Sequence, residues 1–280
     1  MSTFKADLHC HTTFSDGSLT PRELLLKAKE SGLNGLSITD HDTIGAYSIA
    51  TPLSQEIDLS LIPGVEFSAF HRHNSIHILG YAFDLRNPDL ILFCKKHHQR
   101  REGRNQYILD KLALKNMPLT IDEVKKFSPN ACDNIGRLHI AHALVQKGYI
   151  NSVDEAFRYY IGENQLCYDS GDAVSVEETL DLIHRAQGLA IIAHPHLIKN
   201  QSIVQELLKM PFDGIEAVYA RFGMRDNSKW IKIAQQKNWL ITAGSDYHGP
   251  IKQGSSLGSS WVGEETFKIL QELSKKNQAP

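Results

Sequence analysis

Residues 6–18, ADLHCHTTFSDGS, decide how this chain is read. A short apolar-polar alternation ends in two histidines, and a Ser-Asp-Gly turn follows at once. Side chains along a β-strand alternate between faces, so Asp7, His9 and His11 share one side while Leu8 and Cys10 share the other. Two imidazoles on one face at the C-terminal end of a strand make a natural pair of metal ligands. Cys10, by the same parity, is expected to pack beneath a helix. Asp16 lies in the turn, where Gly17 lets the loop bend back over the strand ends.

Other strands are expected to end in the same way. Seven β-branched, apolar runs alternate with helical patterns: residues 5–11, 35–41, 59–69, 75–83, 188–195, 213–220 and 239–248. Repeated βα units of this kind predict a parallel sheet. Potential ligands sit near the strand ends: His41 in TDHD, Glu66 in GVEFS, His77 in IHILG, His194 in AHPH, and Asp246 with His248 in GSDYH. Strand six carries Glu216. A βα barrel builds its active site at this end, where loops leaving the strands converge. Imidazole and carboxylate donors without thiolate suit zinc, iron or manganese better than magnesium or calcium. Nine ligands exceed the need of one metal; they would serve two or three ions, with Glu66 able to bridge a pair. Asp7, Asp40, Asp42 and Glu216 are expected to orient imidazoles or to be plain strand-end polar groups, and His196 could assist or replace His194.

Between the first two strands, TPRELLLKAKESG predicts a helix capped by Thr20, with Pro21 at its first position, Glu23 completing a capping box and Gly32 at its end. Ser175 and Glu178 predict a second capping box, closed by Gly188. Residues 202–210 and 227–238 supply helices before strands six and seven. From about Asn87 to Asp172 the patterns are helical throughout, so the expected organisation is a barrel in two parts, 1–86 and 173–280, with a helical insertion or cap at 87–172. Residues 249–260 read as a loop.

Six motifs in order, DLHCHTTFSDGSLTP, ITDHDT, PGVEFS, HILGY, AHP and GSDYHG, resemble those of the polymerase and histidinol phosphatase (PHP) family across nearly the whole chain. The insertion and GRLHIAHALV resemble the ribonuclease AM type, which includes 3′,5′-nucleoside bisphosphate phosphatases and 5′-to-3′ exonucleases. The resemblance implies an α/β fold, a distorted (βα)7 TIM-like barrel holding three metals. It assigns His9, His11, Glu66 and Asp246 to the first ion, Glu66, His77 and His194 to the second, and Asp16, His41 and His248 to the third. The chain departs from the subfamily at Leu138, where proline is usual, in AHPHLI, and in LCYDSGDAV, where a Pro-Arg stretch is usual.

The expected chemistry is attack on phosphorus by a metal-bound hydroxide, with no single protein nucleophile, because cations lower the pKa of bound water and neutralise phosphoryl oxygens. Guanidinium groups bind phosphate bidentately, which makes Arg137 and His139, then Arg100, Arg101 and Arg104, the candidates for substrate binding. His71, His73, His97 and His98 are expected to be exposed.

Composition bounds the rest. The 280 residues are 41% hydrophobic and 22% charged, with a formal net charge of -2, so no global basic field marks a protein that coats nucleic acid or an anionic membrane. A small phosphorylated nucleotide or a short oligonucleotide end is the expected partner, without membrane or obligate protein partner. Four scattered cysteines and an N-terminus without an apolar run point to the cytoplasm. The main expectation is therefore a metal-dependent phosphoesterase, with manganese, zinc or iron. The alternatives are a phosphatase for a small metabolite such as histidinol phosphate, an amidohydrolase-type metal barrel, and a catalytically idle metal-bearing regulatory module.

Overall fold

A computed structural model describes residues 3–72, 74–128, 134–169, 171, 174–250 and 255–278. Among these, eight strands form: β1 (Ala6–Cys10), β2 (Gly35–Ile38), β3 (Ser60–Leu61), β4 (Gly64–His71), β5 (Asn74–Tyr81), β6 (Leu189–Ile192), β7 (Gly214–Tyr219) and β8 (Leu240–Gly244). The helices are α1 (Pro21–Glu30), α2 (Tyr47–Glu56), α3 (Pro88–Ala113), α4 (Ile121–Lys125), α5 (Arg137–Gln146), α6 (Val153–Ala156), α7 (Val176–Arg185), α8 (Gln201–Leu207), α9 (Met224–Lys237) and α10 (Glu264–Asn277). The fold is mixed α/β, and no helix among the described residues is long and apolar enough to cross a membrane.

The strands do not pair into a continuous parallel barrel. Sheet one runs β1-β2-β3, all parallel; sheet two runs β4-β5-β6-β7-β8. Single bridges join the two sheets, Cys10 to Tyr247 at one seam and His41 to Glu66 at the other. Two departures from the expected alternation have local causes. The run 59–69 splits into β3 and β4 at Pro63, which has no N–H to give to a ladder. β5 is antiparallel to both β4 and β6. His71 pairs with Asn74, so only two residues connect β4 to β5; such a connection makes a hairpin, whereas a parallel partner needs a crossover of a dozen residues or more. Consequently His77 lies in the N-terminal half of its strand, not near its carboxyl end.

The first helix forms as its sequence predicts: Thr20 accepts from the Glu23 N–H, and the Glu23 side chain returns a bond to the Thr20 N–H. Ser175 caps α7 through the Glu178 N–H. At the other end of α7 the left-handed residue is Gln187 (φ 61°), not Gly188. The chain also forms α2 and α10, which complete the layer around the sheets.

Apolar side chains gather in four clusters. One packs β4–β7 under α7, α8 and α9, and another packs Cys10, Leu36 and Ile38 against Leu24, Leu25 and Ala28 of α1. A third joins Ala6 and Leu8 of β1 to Phe267 and Leu270 of α10. The fourth, from Ile108 to Cys167, belongs to α3–α6 and the π-helical turn Phe157–Ile161 that follows them. The segment between β5 and α7 thus carries a core of its own. Part of the expected loop, residues 251–254, lies outside the described residues, as do His73 and Cys132.

Candidate metal centre

Each expected ligand reaches one region at the ends of β1, β2, β6 and β8 and the facing part of β4 and β5. His9 is within β1, and His11 is one residue beyond it. Asp246 and His248 lie past the end of β8, so strand parity does not place them; Asp246 is left-handed (φ 51°), which turns the loop back over the sheet. His194, just after β6, also has positive φ, at 24°. Such backbone in non-glycine residues is costly and persists where surrounding contacts enforce it.

Glu66 is the hub. Its Oε2 lies 3.3 Å from His9 Nε2, 3.2 Å from His11 Nε2 and 3.2 Å from His41 Nδ1. Its Oε1 lies 2.7 Å from His77 Nδ1 and 2.8 Å from His194 Nε2. Three groups have donor atoms mutually close enough to share an ion: His9, His11, Glu66 and Asp246; His11, Asp16, His41 and His248; and His41, Glu66 and His77. The first has the composition the family resemblance gave it. His41 and His11 each belong to two groups, and His194 belongs to none of the three but reaches Glu66 through its Nε2.

A second layer of carboxylates orients these groups. Glu216 holds His9 Nδ1 at 2.9 Å and accepts the His194 N–H at 2.8 Å. Asp40 takes the Thr12 N–H and the hydroxyls of Thr12 and Ser15, fixing the loop that carries Asp16. Asp7, although on the face of His9, turns to the Ser245 N–H and hydroxyl and the Gly258 N–H, tying β1 to the β8 side. Tyr219 is a contributor that strand-end reading misses: its hydroxyl donates to Asp246 Oδ2 at 2.7 Å. No period or motif signals it, since its role depends on the β7–β8 register.

Burial opposes ionisation of Glu66 and Asp16, yet the surrounding imidazoles outweigh it and hold both carboxyls well below their usual range. Burial pushes His41 down to about 3 despite Glu66 and Asp16. His9 goes the opposite way: burial lowers it, but Glu216 and Glu66 raise it further. Many imidazoles packed around few carboxylates cannot all be protonated. The ring nitrogens His9 Nε2, His11 Nε2 and His41 Nδ1 are also buried without a hydrogen bond of acceptable geometry. Orphaned nitrogens facing carboxylate oxygens fit a divalent cation, which neutral imidazole and carboxylate would ligate together. The donor set is nitrogen and oxygen only.

Beside the cluster is a cavity of about 650 Å³ whose walls include Asp16, His41 and His77 together with Arg101, Arg104, Arg137, Tyr168 and Phe157, and also Asp154 and Asp169. Arg137 sits over the rings of Tyr168 and Phe157, at 5.2 and 5.9 Å, and donates to the Ile161 carbonyl. Arg104 is pushed down to about 9 by burial, then by Arg101 and Arg137. Two other expected anchors stand elsewhere. His139 is buried with Nδ1 accepting the Gly136 N–H at 2.9 Å, and Arg100 is outside the cavity wall. His97, expected to be exposed, is buried, because its Nδ1 faces the interior carboxylate of Asp42 at 3.3 Å. His71 is half-buried against Glu206.

Together the two-sheet fold and the imidazole-carboxylate cluster define a metal-dependent hydrolase. A PHP domain model matches residues 7–223, and the chain belongs to that family. The chain is 32% identical to a 5′-3′ exoribonuclease of Haemophilus influenzae, over 91% of this chain and 95% of that protein. It is 29% identical to a 3′,5′-nucleoside bisphosphate phosphatase of Chromobacterium violaceum, over 90% of each. A solved structure from Bifidobacterium adolescentis, assigned as a metal-dependent phosphoesterase, superposes with a TM-score of 0.87 at 29% identity, covering 96% of both chains.

Proposed function

We propose that this protein hydrolyses phosphate esters of nucleotides. It would remove the 3′-phosphate of nucleoside 3′,5′-bisphosphates or release mononucleotides from the 5′-phosphorylated end of short oligonucleotides. The observation that carries this reading is the shared cavity: candidate metal ligands Asp16, His41 and His77 line it together with Arg104 and Arg137, neither of which has a carboxylate in ion-pair range among the described residues. Half-buried guanidinium groups with no direct ion-pair partner suit an anion, and a terminal phosphate supplies it.

In this reading His9, His11, Asp16, His41, Glu66, His77, His194, Asp246 and His248 hold two to three ions of manganese, iron or zinc. Such ions, when bound, lower the pKa of a water and neutralise phosphoryl charge. The chain's own residues do the positioning. Arg104 and Arg137 grip the terminal phosphate, and Tyr168 and Phe157 support Arg137 from behind. Glu216 keeps His9 Nε2 turned inward, since it engages the opposite ring nitrogen. Residues 87–172 act as a cap that shields the reacting ester from bulk water, over a barrel-like body, a distorted (βα)7 arrangement, formed by 1–86 and 173–280. The three described cysteines are free, in keeping with a cytoplasmic setting.

The test is a comparison of substrates by the manganese-loaded protein: adenosine 3′,5′-bisphosphate, a short RNA with a 5′-phosphate, the same RNA with a 5′-hydroxyl, and histidinol phosphate. Turnover of the first two, with the 5′-hydroxyl RNA at least about tenfold slower, is expected. Turnover of histidinol phosphate alone would overturn the nucleotide reading.

A further inference from the structure

Arg101, at the middle of α3, does not face the cavity as freely as Arg104 and Arg137. Its Nε donates to Asp42 Oδ2 at 2.7 Å, its Nη2 also meets Asp42, and Nη2 donates to Ser68 Oγ at 2.9 Å. Nη1 points the other way, toward the wall at Gly136, where an added Cβ would meet it at 3.9 Å. Asp42 itself is almost wholly buried, left-handed (φ 56°), and held by the Ser68 N–H at 2.7 Å. A buried carboxylate in strained backbone, bonded to strand β4 and to helix α3, is a costly arrangement to keep for packing alone.

We infer that Asp42 is a positioning residue for substrate: by occupying one edge of Arg101 it turns Nη1 into the cavity as a single fixed phosphate donor. Arg101 then contributes direction, and Arg104 and Arg137 contribute charge. Because Asp42 follows His41 directly and His41 lines the same cavity, the clamp also fixes the distance between the phosphate donor and the metal cluster. The neighbouring Asn134, from the insertion, donates to the His41 carbonyl and strengthens that registration. The inference rests on the reading of the cavity as a site for a terminal phosphate.

The experiment compares wild type, Asp42→Asn, Arg101→Ala and the double variant, with kcat and KM for adenosine 3′,5′-bisphosphate and adenosine 3′-monophosphate and metal content by elemental analysis. Asp42→Asn is expected to keep its metal and to raise the bisphosphate KM, relative to that of the monophosphate, about tenfold, one charge-assisted hydrogen bond's worth. The double variant should be no worse than Arg101→Ala, since Asp42 acts through Arg101. Additive losses, a change equal on both substrates, or loss of metal in Asp42→Asn would overturn the assignment. Should Asp42→Asn fail to fold, Ser68→Ala removes the second anchor alone; a selective KM rise supports the clamp, and no selectivity overturns it. A separate outcome addresses the cavity: if Arg101→Ala is itself unselective between the two substrates, the terminal-phosphate reading fails, whereas a selective Arg101→Ala beside a silent Asp42→Asn removes only the role of Asp42.

Discussion

Glu66 is buried at the meeting point of five imidazoles, two on one of its oxygens and three on the other. That a carboxylate on a strand should serve so many partners is legible in the sequence only as far as GVEFS places it near the histidine-bearing ends. Most of the ligand candidates could be found because they recur at or just after the end of an apolar run, whereas Asp16 lies in a turn and His77 within its strand. The groups that aim them could not. Tyr219 reaches Asp246 across β7 and β8, and Arg101 finds Asp42 from a helix far along the chain, so their partners exist only once the sheets are assembled. The burial of His97 is hidden for the same reason, since a polar helix stretch gives no hint that one of its side chains meets a buried aspartate. Glu216, by contrast, could be suspected as an orienting carboxylate from its strand. Its substitution by glutamine should lower metal affinity about 10- to 100-fold while leaving the fold intact, measured by metal titration together with circular dichroism. Unchanged affinity would mean that His9 is held by packing alone.

Elements were readable where the signal is local. The Thr20-Pro21-Glu23 cap announces α1 within four residues, and its bonds form as written. α2 gives no comparable signal: Pro52 interrupts its pattern, and its N-terminal Ala46 offers no side-chain cap. Strand direction is a different matter, because alternation has a period but no arrow. Only the shortness of the connection after His71 betrays that β5 reverses. The seam between sheets depends on close approach instead of a ladder. At Gly244 a Cβ would come within 2.2 Å of His9 Cβ, so any side chain there must push β1 away from β8. Gly244→Ala is accordingly expected to destabilise by several kcal/mol, about the cost of severe overpacking, and to reduce metal binding by displacing His9. Chemical denaturation and metal content would check this; a variant as stable as wild type would show that the seam is loose.

At the scale of the whole molecule the sheets, the insertion and the metal cluster are one mechanical object. The candidate ligands come from β1, β4 and β5 and from the loops after β1, β2, β6 and β8, so an ion bound at their centre would tie together parts of the chain from residue 9 to residue 248. A mixed α/β architecture was legible in the order of patterns, but a closed parallel ring was not what the strands form, because a hairpin and a proline redirect the pairing. Ions that bind the native state alone raise stability by linkage, about 2.7 kcal/mol at a hundredfold excess over Kd for a single site. Manganese or zinc should therefore raise the melting temperature by several degrees, and a chelator should reverse the gain; equal melting points with and without metal would argue against a built site. The most direct measurement joins composition to activity in one sample: purify the protein, count manganese, iron and zinc per chain, and follow phosphate release from adenosine 3′,5′-bisphosphate as the ions are removed and restored. Two to three ions per chain, with release that falls and recovers in step with occupancy, is the predicted result. Phosphate release that persists in the metal-free protein, or a chain that takes up no metal under any loading condition, would contradict it.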